Sequence, residues 1–328
     1  MISHRRYCCA RLLNRHRPRG FTLLELVVVM AIIGLLASLI FPAVQSTREA
    51  SRMTQCRSHL QQCAVGVINH EATHGWYPTG GWGKNWVGIS DLGYGIEQPG
   101  GWIFNTLPFI EQANVRDLNV GEVSASNAAR LGIPIPLLIC PTRRSPTTFA
   151  NLRQPVLCDP VTRVARNDYA LNGGSLFISY DNGPASLEEA ATFNWKDFTQ
   201  SNGLVHQRSR VRHRDILDGT SVCYLVGEKH LRQDQYETGI DRGDNESAYS
   251  GDDRDLVRFT GFAHSGRFEP LSDSFISPEE GLVFGSSHPS GWNMSYCDGT
   301  VRTMSFYINK GLHSRLGSRN DGEVVSSQ

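Results

Sequence analysis

The chain lacks the short signatures that would announce an enzyme or a nucleic-acid binder. It has no His-Glu-x-x-His, no phosphate-binding loop, no dinucleotide fingerprint and no Gly-x-Ser-x-Gly elbow, which removes the commonest metallohydrolase, nucleotide and serine-hydrolase readings. No Cys-x-x-Cys occurs among its eight cysteines, which argues against zinc. Charge of either sign is not in excess, since 32 basic residues balance 32 acidic ones. The placement is uneven, however: the first 20 residues hold six arginines and no acid, and without them 26 basic residues face 32 acidic ones, a net charge of −6. That remainder shows no basic stripe, so no nucleic-acid partner is expected. Internal repeats and low-complexity tracts are absent too, and a chain of 328 residues that is 40% hydrophobic can bury a sizeable core, as one large domain or a domain with an attachment.

What is present is dominated by one apolar run. Phe21 to Phe41 is 21 residues long, about 31 Å as a helix, which matches a hydrocarbon core of ~30 Å. A secretory signal would have a shorter apolar region closed by a small-x-small cleavage site, and Phe41-Pro42-Ala43 does not supply one. The arginine-rich flank places residues 1–20 in the cytoplasm and sends everything after residue 42 across the membrane. The expected localisation is therefore the inner (cytoplasmic) membrane, single pass, with an extracytoplasmic head.

The run carries one charge, Glu25, and a carboxylate inside a spanning helix costs ~2.5–3.5 kcal/mol unless it has a partner. Cleavage between Gly20 and Phe21 would create an α-amino group one helical turn away, at the spacing where side groups meet. Gly20-Phe21-Thr22-Leu23-Leu24-Glu25-Leu26 resembles the cleavage motif of type IV pilins and type II secretion pseudopilins. The resemblance implies a prepilin peptidase that cuts after Gly20 and methylates Phe21, with Glu25 pairing to the N-terminus of a neighbouring subunit during assembly. An ordinary signal anchor is the alternative.

Beyond the membrane the helix is expected to continue over 42–74. Met53, Cys56, Leu60, Cys63 and Val67 recur at alternating spacings of three and four, a narrow apolar stripe that needs a surface to pack on. His74-Gly75 and Pro78 end it. Residues 75–314 then read as strands and turns. Trp76, Trp82, Trp86 and Trp102 lie among glycines, ahead of Ile103 to Ile110, and are expected to fill a β-rich core, with a sugar-binding surface as the other possibility. Leu137 to Cys140, Gly203 to Val205 and Ser221 to Val226 read as short strands, Asn182-Gly183 and Asp218-Gly219 as turns, and 315–328 as a loose polar tail.

Near the C-terminus Asp298-Gly299 reads as a two-residue hairpin turn, with Trp292, Met294, Tyr296 and Val301 on one face of the ribbon. His288 and Asp298-Gly299 resemble the His-x9-Asp-Gly signature of a large prepilin-anchored family of unknown function. The resemblance extends to Met53–Leu60, Gly101–Gln112, Cys140-Pro141, Asn167–Ala170, Asp218–Ser221 and Gly227-Glu228-Lys229, and implies an exported, pseudopilin-like protein with no established activity. Cys63 and Thr300 depart from its pattern. Ser287, His288 and Asp298 offer the residue types of a hydrolase triad, but adjacent Ser and His side chains do not readily act as nucleophile and base for one another, so His288 is read as structural and the chain as no enzyme.

Two further candidates remain. The acidic loop from Asp241 to Asp255 contains Asp241, Asp244, Glu246, Asp252, Asp253 and Asp255, hard oxygen donors of the kind calcium takes; Asp241, Asp244, Asp252 and Asp253 are the candidate ligands, against a solvated loop partly neutralised by Arg242 and Arg254. Six cysteines follow the leader, in 15 conceivable pairings, and Cys56 and Cys63 lie too far apart on one helix to bridge. The family resemblance implies Cys56 with Cys140, free buried thiols being the rival. The expected architecture is α+β and pilin-like: a long N-terminal transmembrane and amphipathic helix packed on a large antiparallel β-rich head. The expected role is a pseudopilin or minor-pilin-like structural protein, partnered by the membrane, prepilin peptidase and other pilin-like subunits. A membrane-tethered, glycan-binding surface protein is the alternative.

Overall fold

The computed structural model describes residues 20–263, 266–276 and 281–323. The leader arginines and the last residues of the tail lie outside the described residues. The chain divides into two compact units, 1–48 and 49–328.

Helix α1, Leu23–His74, runs through Pro42 without a break for 52 residues. It stops where the sequence predicts: Gly75 takes φ +82°, a value costly for any residue with a Cβ, and its amide donates to the Glu71 carbonyl at 2.7 Å. Within the first unit the apolar side chains are exposed, Leu23 at 81% and Phe41 at 68%. Among the described residues this is the one helix long and apolar enough to cross a membrane. From Glu49 onward α1 belongs to the head, and the stripe faces inward: Cys56, Leu60, Cys63, Ala64, Val67 and His70 are buried.

The centre of the head is a five-stranded sheet built from β1 (Tyr169–Asn172), β2 (Tyr224–Glu228), β3 (Val257–Arg258), β4 (Trp292–Tyr296) and β5 (Val301–Met304), in the order β5-β4-β2-β1-β3. Neighbours are antiparallel except β1 and β3, which run parallel, so the sheet is mixed rather than wholly antiparallel. Both faces are covered. Leu171 and Leu225 join the core that contains Leu60, Cys63 and Val67 of α1 together with Trp102, Phe104 and Leu107. On the other face Ala170, Tyr224, Trp292, Met294 and Tyr296 pack with Leu316.

Several expectations change. Trp102–Thr106 is a short helix, α2, followed by a 3₁₀ turn at Leu107–Ile110, not strand. Pro136–Leu138 is also 3₁₀, and Gly203 to Val205 is irregular although Leu204 and Val205 are buried. The β4–β5 turn has three residues: the Tyr296 amide donates to the Thr300 carbonyl, the Gly299 amide to the Tyr296 carbonyl, both at 2.9 Å, and only Gly299 takes positive φ, +82°. This is a type I turn closed by a left-handed glycine. The extra residue shifts the register, so Val301 pairs with Ser295 and Arg302 with Met294, and Val301 turns to the opposite face from Met294. Residues 315–319 are no loose tail, because a closing helix, Lys310–Gly317, carries the buried Leu316, and Ser318 is buried as well.

Candidate functional site

Two sets of residues stand out, one in each unit. In the first, Thr22 and Glu25 close the start of α1 on themselves. The Glu25 carboxylate accepts from the Thr22 amide at 2.9 Å and from its hydroxyl at 2.8 Å, and the Glu25 amide donates to the Thr22 hydroxyl at 3.2 Å. Thr-x-x-Glu is a reciprocal capping box, and it occupies donors that a helix N-terminus otherwise leaves unpaired. Glu25, the acid expected to need a partner, therefore has one in Thr22. Gly20 and Phe21 precede the helix as exposed, irregular backbone.

The second set lies under the surface of the head, around His288. Glu49 and Cys56, two turns apart on α1, present their side chains on the same side. Cys140 follows the 3₁₀ turn, its amide pinned to the Asp168 carboxylate at 2.8 Å. Glu228 ends β2, and His288 precedes β4. The His288 ring sits between carboxylates, Nδ1 2.6 Å from Glu49 Oε1 and Nε2 3.3 Å from Glu228 Oε1. Nε2 is also 3.6 Å from Cys140 Sγ, which in turn lies 3.0 Å from Cys56 Sγ. Thr142 donates its hydroxyl to Glu49 at 3.1 Å, and Asn293 holds Glu228 Oε2 through its amide at 2.8 Å. Cys56, Cys140, Glu228 and His288 are each at most 1% exposed.

The electrostatics follow from that crowding. The hydrogen bond from Cys56 draws the Cys140 thiol down to about 6 against the cost of burial, and His288 helps. Burial alone would lower the imidazole, but its contacts with Cys140 and Glu228 raise it to about 11. The pocket thus gathers two thiols, an imidazole and two carboxylates whose charges are set by one another rather than by solvent. Asp298 takes no part: it is exposed in the turn, and its carboxylate accepts from the Thr300 amide at 2.9 Å and hydroxyl at 2.7 Å. The signature therefore divides into a buried site residue, His288, and turn chemistry, Asp298-Gly299. Cys56 and Cys140 are brought together as free thiols. Glu49, Thr142 and Glu228 were not among the predicted site residues; the available signals were that Glu49 and Cys56 lie seven residues apart on one helix and that Glu228 falls in a segment carrying the family resemblance.

The acidic loop is buried, not solvated. Asp241 accepts from the Arg232 amide at 2.7 Å and the Gly243 amide at 2.8 Å. Asp244 is paired with Arg144 at 2.9 Å and Lys229 at 3.2 Å. The proposed calcium set Asp241, Asp244, Asp252 and Asp253 is thus not gathered at one point, and the trio that does converge, within 4.8 Å, is Glu246, Asp253 and Asp255. Burial pushes Asp252 up to about 8 and Asp255 up to about 7. Of the tryptophans, Trp82, Trp86 and Trp102 are at most 2% exposed and cannot form a sugar platform. An open cleft of about 390 Å³ is lined instead by residues such as Trp195, Phe198 and Arg208.

A family profile described as "Protein of unknown function (DUF1559)" matches residues 45–311. The chain belongs to this family. In this DUF1559 protein a second profile, the prokaryotic N-terminal methylation motif, matches residues 15–41. It is similar to the type II secretion system core protein G of Pseudomonas aeruginosa, 30% identical over 67 residues, which is 20% of this chain and 47% of that protein. The core protein G of Klebsiella pneumoniae is 36% identical over 63 residues, 19% of this chain and 45% of the relative. The chain thus spans less than half the length of these curated relatives. No solved structure matches it. The DUF1559 chain is a pseudopilin-like, prepilin-type protein with an apolar anchoring helix.

Proposed function

We propose that this DUF1559 protein is a structural, non-enzymatic subunit of a type II secretion or type IV pilus-like assembly, cut by prepilin peptidase after Gly20 and methylated on Phe21. The leader stays in the cytoplasm and the head is carried outward, a reading supported by the six arginines of the first 20 residues. One observation carries the reading: the Gly20-Phe21 junction lies in exposed, irregular backbone just ahead of a helix whose first polar residues are capped together. A peptidase can reach such a bond without unwinding the helix. Cleavage then places a new α-amino group beside Glu25, and the acid exchanges its own cap for the amine of a neighbour.

Mass spectrometry of the mature N-terminal peptide is the test, with N-methylated Phe21 as the expected result; a product that retains residues 1–20 refutes the proposal. Glu25→Ala distinguishes assembly from simple display. It should leave the protein in the membrane and remove it from cross-linked oligomers with other pilin-like subunits, whereas a tethered binding protein would be indifferent to the change.

A further inference from the structure

We propose that Cys56, Cys140, Glu228 and His288 form a structural zinc site that clips α1 to the head. Their donor atoms, two sulfurs, a carboxylate oxygen and an imidazole nitrogen, all lie within 4.8 Å of one another. Two thiolates with one imidazole and one carboxylate make a borderline-soft set that suits zinc and not calcium or magnesium. Bonds of ~2.3 Å to sulfur and ~2.0–2.1 Å to nitrogen and oxygen give tetrahedral edges of roughly 3.3–3.8 Å. The separations of His288 Nε2 from Glu228 Oε1, 3.3 Å, and from Cys140 Sγ, 3.6 Å, already have that size. The sulfurs, at 3.0 Å, must open by under 1 Å.

Two features favour a cation over a bond between the two sulfurs. Glu228 Oε1 is buried and makes no well-aligned hydrogen bond, its nearest partner being His288 Nε2 at 3.3 Å, while Oε2 is fixed by Asn293; a zinc ion between oxygen and nitrogen would give both a ligand bond. His288 Nδ1 is held by Glu49, itself held by Thr142, which is the carboxylate–histidine arrangement that directs Nε2 toward a metal. The site joins distant parts of the chain, since Cys56 and Cys140 are 84 residues apart and Cys140 and His288 148. With four protein donors and no open position, the site is structural, and it does not depend on the assembly role proposed above.

Full-length protein purified in detergent under reducing conditions is the material for the test. Elemental analysis should give about one zinc per chain, and replacement of zinc by Co²⁺ should give the intense visible bands of a tetrahedral thiolate site. Cys140→Ser should abolish both, and Glu49→Gln should weaken zinc binding ~10–100-fold. Cys63→Ser, one helical stretch away and equally buried, should leave stoichiometry unchanged, which separates ligand loss from misfolding. If the variants do not fold, wild-type protein stripped by a chelator should regain its melting temperature on addition of ZnCl₂. Wild-type protein that takes up neither zinc nor cobalt after reduction overturns the proposal, as does an intact mass showing Cys56 and Cys140 joined in the mature product.

Discussion

At the scale of single residues, the same side-chain chemistry is put to opposite uses in this chain. Glu25 is an exposed acid whose carboxylate caps its own helix through Thr22. Asp252 is a buried acid that burial, reinforced by Asp253, pushes up to about 8. A carboxyl whose pKa is higher folded than unfolded favours the protonated native state, so its penalty is absent below about pH 4 and grows until the pH passes the folded value near 8. Asp252→Asn should therefore stabilise the protein more at pH 8 than at pH 5, by at least about 1 kcal/mol. Thermal unfolding of both forms at the two pH values measures this, and equal increments would show that Asp252 is ionised throughout. The apolar run around Glu25 shows that the acid needs a partner, and Thr22, three positions earlier, meets that need as a capping box.

At the scale of elements, α1 was legible because its stripe repeats over about four turns and Gly75 supplies a stop. The short apolar runs were not. Trp102 to Leu107 is buried on every side, so it has no periodicity to distinguish helix from strand, and Pro136 with Pro141 fixes the path around Cys140 where apolar composition alone reads as β. The hairpin was legible in place and wrong in register, since Asp-Gly serves both two- and three-residue turns. That distinction has a measurable consequence. Gly299→Ala must hold a Cβ at φ +82°, costing ~1–2 kcal/mol, and Asp298→Ala loses the two bonds to Thr300, costing about 1 kcal/mol. Both should lower the melting temperature and leave zinc content unchanged, whereas His288→Gln should remove the metal. A metal loss in either turn variant would mean that the signature acts as one site.

At the scale of the molecule, the head is organised by charges that no local reading could pair. Arg143 contacts Asp168 at 3.2 Å and Asp273 at 2.8 Å; Arg144 contacts Asp168 at 2.7 Å and reaches Asp244, which Lys229 meets at 3.2 Å. These side chains are at most 2% exposed and come from five stretches of chain, the same distances in sequence that hid the cysteine–histidine cluster. Asp168 is the joint between the two systems, because its other oxygen holds the Cys140 amide at 2.8 Å. Removing one member of such a network leaves charge buried without its partner, which costs ~3–5 kcal/mol. Asp168→Ala should lower the urea midpoint by a corresponding amount without altering the slope. Asp234→Asn is the comparison: it removes the charge from an equally short contact, Arg232 to Asp234 at 2.8 Å, at a site where Asp234 is 67% exposed, and should leave the urea midpoint nearly unchanged. If the two variants cost the same, the buried network is not what holds the strands and the loop around Cys140 in register.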